Sequence, residues 1–352
     1  MHAENVSPST PRPHGPHSTG ASTSPIVFDL HGHGPDVAPR IVRRMFDMAP
    51  SMDPAFSFDQ MKTSGLDAMA ACVLGDPLGT FWRAPRDPWK AVLRQFDSLE
   101  SQADAAGVAV IRNSTQLNTA RAQNVPSIVL AMEGADILGP DLHRLEWLHE
   151  RGVRMIGLVH YSDNALGTIG TTVCGQPRSR KVRRGIRTTG LTEFGAEAIS
   201  RMNDLGIIVD VAHADSATTL SACAASDAPV VSSHTGAASL DDLSRYISDE
   251  EIVAIAATGG LIGLWPFRLR ERGMSDSRDF ARHASHVADL VGIEHLAFGT
   301  DANGGPATMA KYSGPQDNLE FVAGLTAAGF SEDDCAAIMG GNALRVFTAV
   351  CG

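Results

Sequence analysis

From residue 25 onward, short apolar runs alternate with longer amphipathic stretches, and few architectures satisfy that order. The runs are IVFDLHG (26–32), LDAMAACVLG (66–75), VAVIRN (108–113), SIVLAMEG (127–134), MIGLVHYS (155–162), GIIVDVAHA (206–214), PVVSSHTG (229–236), GGLIGLW (259–265) and HLAFGTDA (295–302). Continuous apolar runs of this length suit strands buried on both faces. The stretches between them read as helices. LTEFGAEAISRMNDLG (191–206) has Thr192 at the N-cap position and Gly206 at the C-cap position. Ser248 with Glu251, and Ser331 with Asp334, stand at capping-box spacing. Strand–helix alternation implies parallel strands joined by right-handed crossovers. The nine runs are one more than a (β/α)8 barrel needs, with VAVIRN as the extra. A doubly wound sheet is the alternative.

Polar residues separate these two architectures. A doubly wound sheet gathers its ligand groups near one switch point. A barrel collects them from the C-terminal ends of many strands. Here His31 and His33 end the first run and Glu133 ends the fourth. His160 follows MIGLV, His213 follows IIVDVA, His234 follows PVVSS and Asp301 follows LAFGT. In a closed barrel all seven would converge on one mouth. A single histidine or acid after a strand is ordinarily a cap or turn residue, but that explanation does not extend to the whole set.

These residue types suit a metal centre. Imidazole and carboxylate ligands fit zinc and similar divalent ions. His-x-His on a strand sends both side chains to one side. Glu133 has two oxygens and can bridge two ions. A water held between two cations attacks a carbonyl at neutral pH. Asp301 is placed to carry that water's proton to the leaving group, and His160 to donate to the developing oxyanion.

Composition narrows the setting. The chain has 352 residues, 43% hydrophobic and 20% charged, enough for one barrel domain over 25–352. A net charge of −11 argues against nucleic-acid and anionic-membrane partners. No apolar stretch approaches the ~20 residues of a membrane span. Five scattered cysteines, without a CxxC pair, fit reduced thiols and a cytoplasmic location. Residues 1–24, rich in Pro, Ser, Thr, Gly and His, read as a disordered arm without the apolar segment of a secretory signal. Its His2, His14 and His17 read as solvated. A basic insertion at 166–190 carries Arg178, Arg180, Lys181, Arg183, Arg184 and Arg187. It reads as a solvated loop or as a flap that steers anionic substrates toward the mouth.

The chain resembles the renal (membrane) dipeptidase family, the M19 metallopeptidases of the amidohydrolase superfamily. The likeness rests on DLHGH (29–33), LAMEGAD (130–136), GLTEFGAEAISRMNDLGIIVDVAHA (190–214), PVVSSHTGA (229–237), LAFGTDANG (296–304) and GGNALRVF (340–347). It implies a (β/α)8 TIM-like barrel of the metal-dependent hydrolase type. It also implies a zinc-dependent dipeptidase with two Zn2+ per chain, or another divalent metal. By position, His31 matches the first ligand of one metal, Glu133 the bridging ligand, and His213 with His234 the ligands of the second metal. His160 matches the histidine that polarises the scissile carbonyl. Arg245 matches the arginine that grips the substrate's terminal carboxylate, and Asp301 the acid that handles the catalytic proton. The family's members are often dimers, so the resemblance implies a homodimer. Two departures stand out. His33 occupies a place where the family usually has aspartate, and YSDNALG follows His160 instead of an Asn-rich loop. They leave open a lactone, cyclic amide or N-acyl amino acid as substrate, and also a non-catalytic barrel.

Overall fold

The computed structural model describes residues 24–37, 56–139, 141–172, 190–269, 272–304, 312 and 314–352. The N-terminal arm through residue 23 and the basic cluster at 178–187 lie outside the described residues.

Eight strands form the barrel wall: β1 (Phe28–His33), β2 (Ala68–Leu74), β4 (Ser127–Glu133), β5 (Val153–Gly157), β6 (Ile208–Asp210), β7 (Val230–Thr235), β8 (Leu261–Leu264) and β11 (Leu296–Phe298). They pair in that order, and every pairing is parallel. The extra run VAVIRN becomes β3 (Ala109–Ile111), which pairs with β4 outside the main path. A small antiparallel ribbon, β9 (Arg268–Leu269) with β10 (Arg272–Gly273), follows β8. The last strand meets the first through the Gly32–Ala302 bridge. There the Asp301 N–H donates to the His31 carbonyl and the His33 N–H to the Ala302 carbonyl, each at 2.8 Å. The two ends of the sheet thus meet as a barrel, and a doubly wound sheet is excluded.

The helices begin and end where their caps predict. The Thr192 hydroxyl accepts from the Gly195 N–H, and Gly206 ends that helix at φ 72°. Ser248 with Glu251 and Ser331 with Asp334 both close capping boxes. No described helix is long and apolar enough to cross a membrane.

Strand parity divides the core. On β2, Met69 and Val73 pack toward the helices, whereas Ala68, Ala70 and Cys72 belong to the cluster inside the barrel. On β4, Val129 and Ala131 share the interior. Ala343, Val346 and Phe347 of the C-terminal helix (Asn342–Cys351) join that cluster, with Phe347 edge-on to Phe28 at 6.0 Å. This helix therefore plugs the barrel beneath the strands. Alternation carries Glu133 to the inside above Val129 and Ala131.

Candidate active site

Two bulges shape the mouth. Between Asp29 and Gly32, β1 has one residue more than β2, and between Ser232 and Thr235, β7 has one more than β8. A bulge re-aims side chains and is favoured beside active sites. In β7 it lets neighbouring Ser233 and His234 both face inward. The displaced Ser233 carbonyl needs room. A Cβ on Gly263 or on Gly299 would lie 1.9 Å from it, so both flanking positions require glycine.

His31, His33, Glu133 and His234 sit within their strands. The other three predicted residues stand beyond their strand ends: His160 after β5, His213 after β6 and Asp301 after β11. His213 and Asp301 adopt left-handed backbone at φ 69° and 54°, which turns them back into the mouth. At these two positions the strained backbone aims a candidate functional side chain.

All seven residues meet. His31 and His33 approach through their Nε2 atoms at 3.3 Å, as His-x-His spacing predicts. Asp301 Oδ1 lies 3.2 Å from His33 Nε2 and 3.9 Å from His31 Nε2. The Nε2 atoms of His213 and His234 are 3.1 Å apart. Between the two pairs lies Glu133. Its Oε1 is 2.9 Å from His213, 3.6 Å from His234 and 3.6 Å from His31. Its Oε2 is 3.4 Å from His33 and 3.5 Å from His160. Five imidazoles therefore ring one buried carboxylate.

Electrostatics follow from that crowding. Burial alone would raise Glu133, yet His160, His31 and His213 hold it well below the usual carboxylate range. Burial, reinforced by Arg245, keeps His213 well below the ordinary histidine value. His234 is lowered by burial, His31 and Arg245. Neutral imidazole is the form that ligates metal. Burial also disfavours charge on His160, but Glu133 and Asp76 outweigh it and raise its pKa.

This donor set fits divalent cations. Among the described residues, three groups place their potential ligand atoms within 4.8 Å of one another: His31 with Glu133 and His234, His31 with His33 and Asp301, and Glu133 with His160 and His213. Glu133 Oε1 is buried without a hydrogen bond among the described residues, although imidazole nitrogens face it. Facing lone pairs in a buried pocket repel unless a cation or proton lies between them.

Arg245 lies in the loop between β7 and the next helix, and it is buried, not superficial. Its guanidinium lies over Trp265 at 5.2 Å, and Nη2 donates to His234 Nε2 at 2.8 Å. Trp265 stacks on Phe267 at 3.9 Å. Tyr161 packs against His160 at 4.2 Å and against His213 at 4.8 Å. These rings make an apolar wall around the charged floor.

Sequence reasoning missed several contributors. Asp76 follows β2, and its Oδ2 lies 3.1 Å from His160 Nδ1. It also caps the helix Pro77–Thr80 through Oδ1, and an Asp-Pro pair after a strand signals only that cap. Tyr161 and Trp265 stand at the ends of apolar runs, where nothing singles them out. Asp210 and Ser233 sit inside apolar runs, and nothing in their spacing marks them.

Comparison with known proteins places this geometry. The family model "Membrane dipeptidase (Peptidase family M19)" matches residues 24–351. An uncharacterized dipeptidase of Schizosaccharomyces pombe is 29% identical over 228 residues, covering 63% of this chain and 52% of the relative. The chain thus spans about half the length of that curated relative. Among solved structures, dipeptidase AC, a family M19 metallopeptidase, superposes with a TM-score of 0.77 at 23% identity, covering 93% of this chain and 99% of its own. A metallopeptidase from Rhodobacter sphaeroides, liganded with a phosphinate mimic of L-Ala-D-Ala, gives 0.74 at 21% identity, with 93% and 100% covered. At these identities the structures establish the shared fold.

Proposed function

Since this chain belongs to the membrane dipeptidase family, peptidase family M19, we propose that it is a zinc-dependent dipeptidase hydrolysing the amide bond of small dipeptides. The supporting observation is the convergence of His31, His33, His213, His234 and Asp301 on one pocket around the buried Glu133 carboxylate, with His160 and Arg245 at its edge. His31 and His33 would hold one ion and His213 with His234 a second, Glu133 bridging them. Divalent ions here supply Lewis acidity and make a water nucleophilic at neutral pH.

The side chains divide the remaining work. Arg245, whose planar fork matches a carboxylate, anchors the dipeptide's C-terminus. Trp265 beneath the guanidinium fixes its plane. Asp301 is the exchanger of protons, taking one from the attacking water and returning it to the leaving amine. His160 donates from Nε2 to the carbonyl oxygen as charge develops. The Asp76 carboxylate 3.1 Å from Nδ1 favours imidazolium, the form that can donate from Nε2, and the raised pKa of His160 supports that form.

The test is turnover of an L,L and L,D dipeptide panel by purified protein loaded with Zn2+. The Rhodobacter relative's L-Ala-D-Ala mimic makes the D-configured C-terminal residue the first choice. Activity abolished by chelation and restored by Zn2+ is expected. A metal-loaded preparation that cleaves no member of the panel refutes the proposal.

A further inference from the structure

Beneath the histidines lies a buried Asp–Ser pair that the catalytic scheme leaves unused. Asp210 and Ser233 are 2% and 0% exposed and face the barrel interior on adjacent strands. Ser233 Oγ has three polar neighbours. It lies 2.6 Å from Asp210 Oδ2, 3.1 Å from His31 Nδ1 and 3.0 Å from His234 Nδ1. A hydroxyl carries one hydrogen and two acceptor sites. The Asp210 carboxylate is an acceptor at both oxygens, since Oδ1 already receives the Ala212 and Ser233 N–H groups, each at 3.0 Å. The single Ser233 hydrogen is therefore committed to Asp210, at the shortest of the three distances. Both histidines must then donate from Nδ1–H, and their lone pairs fall on Nε2, toward Glu133.

We infer that Ser233, held by Asp210, is a positioning residue that fixes the tautomer of one histidine from each half of the metal centre. His31 belongs to one pair and His234 to the other, so one hydroxyl presets both. Asp210 extends the hold to a third histidine. Its bond to the Ala212 N–H fixes the turn that delivers His213. His33 is set separately, its Nδ1–H donating to the Cys72 carbonyl at 3.0 Å. Outer-shell partners of this kind orient ligands and raise their basicity. The bulge in β7 and the glycines at 263 and 299 acquire a reason here: they bring His234 to the same face as Ser233.

Two other contacts bear on these tautomers: Arg245 Nη2 donates to His234 Nε2 at 2.8 Å, which favours the same Nδ1–H form, and a thiol approaches His31. Cys72 Sγ lies 3.6 Å from His31 Nδ1. Sulfur is a weak partner, and it reaches only one of the two histidines.

The inference rests on the metal-centre reading above, and the experiment separates them. Metal-free full-length chain, labelled with 15N in histidine, reports the protonated ring nitrogen through long-range 1H–15N spectra. His31 and His234 are expected as Nδ1–H tautomers in the wild type; His31 should become a mixture in Ser233→Ala, and His234, whose Nε2 also accepts from Arg245, should do so when Arg245→Met is combined with it. Zn2+ and Co2+ titrations against a competing chelator should show both equivalents weakened together, by about 10–100-fold. Ser233→Thr keeps the hydroxyl and should restore most of the affinity. Cys72→Ala should stay within about threefold of wild type. Nε2–H tautomers in the wild type would overturn the inference. So would loss of one equivalent alone in Ser233→Ala, or equal losses in Cys72→Ala. If the wild type binds neither metal, the metal-centre reading fails, while the spectra still decide the role of Ser233.

Discussion

Asp76→Asn isolates one interaction. Asparagine caps helices about as well as aspartate, so the bond to the Gly79 N–H survives. What changes is the charge 3.1 Å from His160 Nδ1. At that separation an opposite unit charge favours the imidazolium by about 5 kcal/mol at an effective dielectric of ~20. Burial offsets part of this, and Glu133 keeps supplying a second negative charge. A net loss of even a third of the ceiling lowers the His160 pKa by about one unit. The pKa of His160 is raised in the folded chain, so its protonated form is lost as pH rises through that value. The alkaline limb of kcat should therefore move down by about one pH unit or more. At pH 8, kcat should fall by up to about tenfold, the most a one-unit shift of that limb can give. The assay is kcat and KM for a cleaved dipeptide from pH 5.5 to 9.5, on metal-loaded wild type and variant. An unmoved alkaline limb, with kcat within threefold of wild type, would refute both the pairing and the imidazolium role of His160.

Replacing Arg245 by methionine should lower kcat/KM about 10–150-fold for dipeptides with a free carboxylate, chiefly through KM. C-terminally amidated analogues should change little, and equal losses on both would show that Arg245 does not grip that group. His283 is buried and its Nδ1 accepts the Ala237 N–H at 3.0 Å, so the folded chain holds it neutral, with a pKa lowered by burial to about 4. The unfolded chain protonates near 6.5, so stability should decline by up to about 1.4 kcal/mol per pH unit as pH falls from 6.5 toward 4. Urea unfolding at stepped pH should show a shallower decline for His283→Gln, and an identical slope would discount this histidine. Phe347→Ala opens a cavity in the barrel plug and should cost about 3–5 kcal/mol in the same assay, whereas a loss under 1 kcal/mol would mean the plug carries little of the core.

Much of this molecule was legible before any coordinates. Parallel strands buried on both faces announce themselves as continuous apolar runs, and polar residues at their ends become conspicuous by contrast. That contrast brought forward His31, Glu133 and His234. It placed His160, His213 and Asp301 as well, although these stand in turns beyond the last paired residue. The supports were harder to see. Asp210 and Ser233 look like interruptions of apolar strands, and in β7 a bulge breaks the period of two that would otherwise show which residues face inward. Asp76 already explains itself as a helix cap, so its second task leaves no separate mark. Arg245 could be assigned only through family likeness. Its burial depends on a loop folding over Trp265, and no local pattern encodes such a fold.

The seam where the barrel closes also sets a timetable. Asp29 accepts from the Thr300 N–H at 3.0 Å and from its hydroxyl at 2.5 Å, across 271 positions of chain. At a synthesis rate of about 5–20 residues per second, β1 leaves the ribosome roughly 15–55 s before this partner exists. Once β2 has followed, the first strand has that neighbour on one side and an open edge on the other until β11 arrives. The half of the proposed metal centre that contains His31, His33 and Asp301 is therefore among the last features of the nascent chain to form. A chain truncated before β11 would present an unfinished edge along with an incomplete site, which makes it a natural client for chaperones.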